Sequence, residues 1–203
     1  MLLSELFLRC LRIPYTHLSG GLDYAVCQTP SGVELYLEAS DGCSDWQRNL
    51  DFPAVAYCRA GQPVFYAHRG FLQAHRALIP ILDDLLADKR LHELRIVGYS
   101  HGAALALLAY EYVGYCRPDI VLAGVGFGCP RVLFGVRRRG MQARLSGFLR
   151  VKNLDDIVTH LPPAVLGYYH VGRLLELGER GRYSRSDAHR PENILRELYA
   201  AGV

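Results

Sequence analysis

Apolar positions along this chain change their period several times, and each change predicts an element. Leu22 to Thr29 and Val33 to Ala39 read as strands joined at Pro30-Ser31-Gly32, a turn by composition. Phe52 to Cys58 and Pro63 to Ala67 read as two more, around Arg59-Ala60-Gly61-Gln62. From Gly70 the period lengthens. Phe71, Ala74, Leu78, Ile81, Leu82, Leu85 and Leu86 recur at helical spacing to about Asp88, with a kink expected at Pro80. Leu94 to Val97 is a short apolar run, and Ala103 to Tyr110 is a helical run of small residues. Ile120 to Phe127, β-branched and glycine-containing, suits a buried parallel strand. Phe148 to Lys152 and Tyr168 to Leu177 read as further strands. Pro191 to Ala200 reads as a last helix, with Asp187 or Asn193 available to cap it. This alternation predicts an α/β fold with one open, mostly parallel central sheet and helices on both faces.

The first twelve residues place Leu2, Leu3, Leu6 and Phe7 on one side of an amphipathic helix. Glu5 and Arg9 interrupt the apolar run and no small-residue cleavage site follows, which argues against a targeting segment. Residues 1–20 are therefore expected to dock as a helix on the body of one domain spanning 1–203. A membrane-surface role fits less well, because the polar face is not rich in lysine or arginine. Nowhere is there an uncharged apolar stretch long enough to span a bilayer. A cytoplasmic location is the expectation.

Composition narrows the function classes. With 203 residues, 50% hydrophobic and 21% charged, the chain suits one soluble domain. A net charge of +3 gives no case for nucleic acid, and Arg137-Arg138-Arg139 reads as a solvated loop. Cys10, Cys27, Cys43, Cys58, Cys116 and Cys129 form no C-x-x-C pair and several sit in apolar strand-like runs, so free, mostly buried thiols are expected rather than a disulfide framework or a zinc site. No His, Cys and carboxylate cluster has metal-ligand spacing, so neither metal nor cofactor is expected.

Chemistry enters at Gly98-Tyr99-Ser100-His101-Gly102, between the apolar run and the small-residue helix. A strand, a tight turn with glycine at both ends and serine at its apex, then a helix, is the nucleophile elbow of an α/β-hydrolase. A serine hydroxyl needs a base, and the base an orienting carboxylate, in chain order Ser, Asp or Glu, His. His160, His170 and His189 lie downstream with carboxylates between. His160 follows Asp156 so closely that both would share one loop, an awkward arrangement for a triad, and His170 sits in an apolar strand-like run, where a core or face histidine is the usual reading. His189 lies in the polar loop Ser186 to Arg190 before the last helix, and is the favoured base. For the carboxylate, Asp155 and Asp156 both follow a strand end, and the residues alone do not separate them.

Several ordered motifs resemble the class 3 lipase family, the fungal-lipase-like branch of the α/β-hydrolases, from about Val33 onward. They are Leu37-Glu38-Ala39-Ser40 leading to Asp45-Trp46 and Asn49-Leu50-Asp51-Phe52, then His68-Arg69-Gly70-Phe71, and Phe127-Gly128-Cys129-Pro130-Arg131-Val132. Asn153 through Leu161-Pro162 and His170-Val171-Gly172 follow. The resemblance implies Asp156 as the triad aspartate, His189 as its histidine, and the backbone N–H groups of Ser40 and His101 as the oxyanion hole, with the Ser40 hydroxyl a third donor. Two departures stand out. The family's elbow reads Gly-His-Ser-Leu-Gly-Gly, where this chain has Tyr99, His101 and Ala103; and Glu38-Ala39 replaces an Arg-Gly pair.

By that resemblance the chain is expected to be a serine carboxylic-ester hydrolase, a lipase or esterase, acting through an acyl-enzyme. Acyl transfer or thioester hydrolysis by the same triad, and a non-catalytic binding protein that keeps the fold, are the competing readings. In this family the lid follows the oxyanion residue. Here Asp41 to Asn49 is short and polar apart from Trp46, which favours small esters or single acyl chains at least as much as acylglycerol at an oil surface, with transient lipid-surface contact.

Overall fold

A computed structural model describes residues 1–18, 22–38, 53–136 and 138–203. The central sheet has seven strands: β1 (Thr16–Leu18), β2 (Leu22–Thr29), β3 (Gly32–Glu38), β6 (Glu93–Tyr99), β7 (Val121–Phe127), β9 (Phe148–Asn153) and β11 (Arg173–Leu177), in that spatial order. From β3 to β11 every neighbour is parallel, while β1, β2 and β3 pair antiparallel. The fold is an α/β-hydrolase with a mostly parallel sheet. The Pro30–Ser31 turn closes the β2–β3 hairpin, with Thr29 opposite Gly32.

The alternation of side chains in each strand divides the core. Leu35, Leu37, Leu94 and Ile96 face α2 (Arg69–Ala87) and α3 (His101–Cys116). Tyr36, Val97, Tyr99, Val125, Phe127 and Val151 face α1 (Leu3–Arg12) and α5 (Pro191–Ala201). Helices therefore cover both faces. Helix α3 is buried on every side from Gly102 to Glu111, wedged between the sheet and α2, which is why its sequence is apolar all round.

Several expectations change. The strands around Arg59 do not join the central sheet. β4 (Ala54–Arg59) and β5 (Gln62–His68) form a separate antiparallel sheet with β8 (Leu133–Phe134) and β10 (Tyr168–Tyr169). The run from Tyr168 to Leu177 is accordingly two strands, one in each sheet. Helix α2 runs through Pro80 without interruption; the ring is exposed, where water can take the carbonyl it leaves unbonded. Neither Asp187 nor Asn193 caps α5 with its side chain: Arg190 is the N-cap, and Asn193 donates to the Asp187 carbonyl at 2.9 Å.

The first helix ends at Arg12, earlier than expected, and the chain then enters β1. Leu6, Phe7 and Cys10 are buried against α5 and the sheet, whereas Leu2 is 50% exposed. Full burial of Phe7 contributes about 2–3 kcal/mol. Among the described residues no helix is long and apolar enough to cross a membrane. Arg138 and Arg139, expected in a loop, begin a short helix, α4 (Arg138–Arg144), before β9, and of the described cysteines only Cys10 and Cys129 are buried.

Candidate active site

The loops after β6, β9 and β11 meet at one edge of the sheet and bring together Ser100, Asp156 and His189. β6 ends at Tyr99 and α3 begins at His101, leaving Ser100 alone in the turn with φ 55° and ψ −120°. Such a conformation is unusual for a residue with a Cβ, and it aims the hydroxyl away from both flanking elements. The turn needs both its glycines: a Cβ on Gly98 would overlap the Gly102 carbonyl, and one on Gly102 the Leu37 carbonyl. The Ser100 N–H donates to the Phe127 carbonyl at 2.9 Å, tying the elbow to the next strand.

After β9 the chain turns through Asn153–Leu154–Asp155–Asp156. The two aspartates diverge here. Asp155 accepts from the Gly181 N–H at 2.6 Å on the outside, whereas Asp156 is fully buried. Asp156 Oδ1 accepts from the Val158 N–H at 2.8 Å, and Oδ2 lies 2.8 Å from His189 Nδ1. His189 Nε2 lies 2.9 Å from Ser100 Oγ. A carboxylate can only accept, so Nδ1 carries the proton and Nε2 is left to accept from the serine hydroxyl. Ser100 and His189 are 6% and 5% exposed.

The other two histidines are engaged elsewhere. The exposed His160 closes a 3₁₀ turn, and its carbonyl accepts from Arg131. His170 Nε2 lies 2.7 Å from the Thr159 carbonyl, and burial pulls its pKa down to about 3, so it is a neutral donor there. His101 is half-buried with its ring against Phe71, centroids 5.1 Å apart, and its N–H lies at the start of α3 beside Ser100. His68 caps α2 by accepting from the Gly70 N–H at 3.1 Å. Ser40, the other oxyanion candidate, and the segment Asp41 to Asn49 lie outside the described residues. Among the described residues no group of His, Cys, Asp or Glu could hold a metal ion.

Sequence reasoning gave no role to two side chains that brace this edge. Asn153 Nδ2 donates to the Ala188 carbonyl at 3.2 Å and so ties the aspartate loop to the histidine loop. Arg131 donates to the Pro162 carbonyl at 3.0 Å, and its N–H to the Leu161 carbonyl at 2.7 Å, steadying the turn after Asp156. Both stand inside motifs already singled out; a buried asparagine at a strand end was the available signal.

Comparisons with known proteins agree with this architecture. The solved Rhizomucor miehei lipase propeptide complex superposes with a TM-score of 0.71 at 20% identity, covering 92% of this chain and 66% of that one, a likeness that speaks for the fold. In sequence, the lipase of Rhizomucor miehei is 28% identical over 149 residues, 69% of this chain and 40% of that protein. A secreted mono- and diacylglycerol lipase of Malassezia restricta is 30% identical over 109 residues, 51% of this chain and 35% of that one. This chain thus spans well under half the length of these sequence relatives. The family model for lipase (class 3) matches residues 35–166, more than half of the chain, and it includes the elbow, the Phe127-to-Val132 motif and the Asp156 loop. The chain belongs to the class 3 lipase family.

Proposed function

We propose that this chain, as a single domain over 1–203, hydrolyses carboxylic esters through an acyl-enzyme on Ser100. One observation carries the reading: Ser100, His189 and Asp156, far apart in sequence, form a continuous hydrogen-bonded line of 2.9 and 2.8 Å. Ser100 Oγ attacks the carbonyl carbon while Nε2 of His189 takes its proton. Asp156 holds the Nδ1 proton in place and stabilises the imidazolium. Collapse of the tetrahedral intermediate expels the alkoxide, which takes the proton from Nε2. Water then attacks the acyl carbon, giving its proton to the same nitrogen, and Ser100 is released.

The N–H of His101, with that of Ser40, is proposed to hold the developing oxyanion. Loss of one such donor costs about 10²–10³ in turnover in comparable sites, so Ser40→Ala is expected to fall in that range. Small esters and single acyl chains are the proposed substrates, on the strength of the polar sequence from Asp41 to Asn49. The relatives named as lipases support acylglycerols as a second class with the same bond to break.

Cytoplasmic residence is part of the proposal. The thiols of Cys10, Cys27, Cys58, Cys116 and Cys129 are free, as suits a reducing compartment, while the Malassezia relative is named as secreted. Fractionation of the source cells decides between the two.

The central test is labelling by a fluorophosphonate probe together with turnover of p-nitrophenyl butyrate. Wild type is expected to label at Ser100 and to turn over the ester; Ser100→Ala is expected to do neither. Wild-type turnover in Ser100→Ala rules the mechanism out.

A further inference from the structure

Tyr99 stands immediately before the proposed nucleophile, where the family's elbow carries histidine. Its hydroxyl donates to the backbone carbonyl of His189 at 2.7 Å. Its ring also lies against the imidazole, with centroids 5.1 Å apart and planes 23° from parallel. Phe7 of α1 also meets the Tyr99 ring edge-on at 5.5 Å and packs on Phe127 at 4.4 Å. His189 therefore rests on a buried aromatic column that begins in the first helix.

Asp156 grips the imidazole at one atom. A single hydrogen bond at Nδ1 leaves the ring able to tilt about that contact, swinging Nε2 away from the Ser100 hydroxyl. A flat aromatic ring against one face removes this freedom, and an anchor on the main-chain carbonyl fixes where the side chain starts. The same face offers its negative π surface to the imidazolium that forms when Ser100 gives up its proton.

We infer that Tyr99 is a positioning residue for His189, its hydroxyl fixing the histidine backbone and its ring fixing and stabilising the imidazole. This rests on the hydrolase reading above. Among the described residues, Asp156 at Nδ1, Ser100 at Nε2, the Tyr99 ring and the uncharged Gly128 backbone lie against the imidazole; in its own segment Asp187 and Arg190 pair with each other at 3.0 Å.

The test compares Tyr99→Phe, which keeps the ring and loses the hydroxyl, with Tyr99→Leu, which loses both. Turnover of p-nitrophenyl butyrate is measured across pH and normalised to the folded fraction. Tyr99→Phe is expected to lose about 5- to 10-fold in kcat, with KM within about twofold and the acid limb of kcat/KM unmoved. Tyr99→Leu is expected to lose at least about 30-fold in kcat, and its acid limb to move down by about half a pH unit. NMR titration of the His189 imidazole, independent of turnover, is expected to show the same downward shift in Tyr99→Leu and none in Tyr99→Phe. Wild-type kcat in both variants, a loss carried by KM, or an unshifted imidazole in Tyr99→Leu overturns the inference. If wild type neither labels at Ser100 nor turns over ester, the hydrolase reading fails, while the NMR titration still decides the Tyr99 contact.

Discussion

Gly128 and His189 compete for one space: a Cβ on Gly128 would stand 2.7 Å from Cε1 and 2.9 Å from Nδ1 of the imidazole. Gly128 also has φ +59°, a backbone conformation that L side chains rarely adopt. The glycine of the Phe127-to-Val132 motif is therefore a clearance requirement set by the histidine loop. Gly128→Ala is expected to push the imidazole off the line to Ser100. Displacement of that size lowers kcat by about 100-fold, with a fall of several degrees in Tm. Steady-state kinetics and a thermal scan check both; wild-type kcat in Gly128→Ala would show that the imidazole has room to spare.

Acid stability turns on buried histidines. His75, on α2, is 1% exposed, and neither ring nitrogen has a hydrogen-bond partner. Burial, reinforced by the positive charges of Arg59 and Arg76, lowers its pKa from 6.5 to about 4. The unfolded chain thus binds a proton that the folded chain refuses, so stability is full above about pH 6.5 and declines as pH falls toward 4. His75 contributes up to about 3 kcal/mol of this decline, and His170, pulled down to about 3, acts in the same direction. His75→Phe is expected to flatten the profile by about one proton and to leave stability at pH 7 equal or higher, because it removes unpaired buried nitrogens. Urea denaturation from pH 4 to 8 measures the slope.

Glu111 is a buried carboxylate held between two arginines from different elements, Arg59 of β4 and Arg144 of α4. Burial pushes its carboxyl up while the two guanidinium groups pull it down. The bridge ties the small sheet to the helix that carries the elbow at its other end. Removing the acid leaves Arg59, only 13% exposed, without its countercharge. Glu111→Ala is expected to lose about 3–5 kcal/mol of stability, read from the urea midpoint at constant slope.

Phe7 gives the first helix its anchor. Truncation to alanine removes a fully buried ring in contact with Tyr99 and Phe127 and opens a cavity beneath the site. A loss of about 3–5 kcal/mol is expected, measured by urea denaturation. Hydrogen exchange should show α1 opening faster than α3.

Most of the central sheet was legible because its inner strands are rich in apolar residues and its helices keep a clear period, whereas β1 fell inside the stretch expected to be helical. The small sheet was not. Its pairing joins β5 to β8 and β8 to β10 across segments far apart in sequence, and Leu133–Phe134 is too short to announce itself. The run from Tyr168 to Leu177 looked single because its alternation says nothing about which sheet each half enters. At the candidate site, the elbow alone singled out Ser100, and its polar loop favoured His189 over His160 and His170. Asp155 and Asp156, adjacent and alike, were separated only by family resemblance, and the structure shows why local pattern fails: one aspartate faces out to Gly181, the other in to His189. The roles of Tyr99, Asn153 and Glu111 depend on partners distant in the chain, and no spacing reveals them.

Ser100 holds its positive-φ backbone against its own preference, a local expense of about 1–3 kcal/mol met by the strand and helix clamped on either side. Folding and reactivity therefore pull in opposite directions at this one position. On the hydrolase proposal, Ser100→Gly relaxes the bend and removes the nucleophile together, giving a protein expected to be sturdier than its parent and inert. Selection for robustness alone would drift toward that inert form.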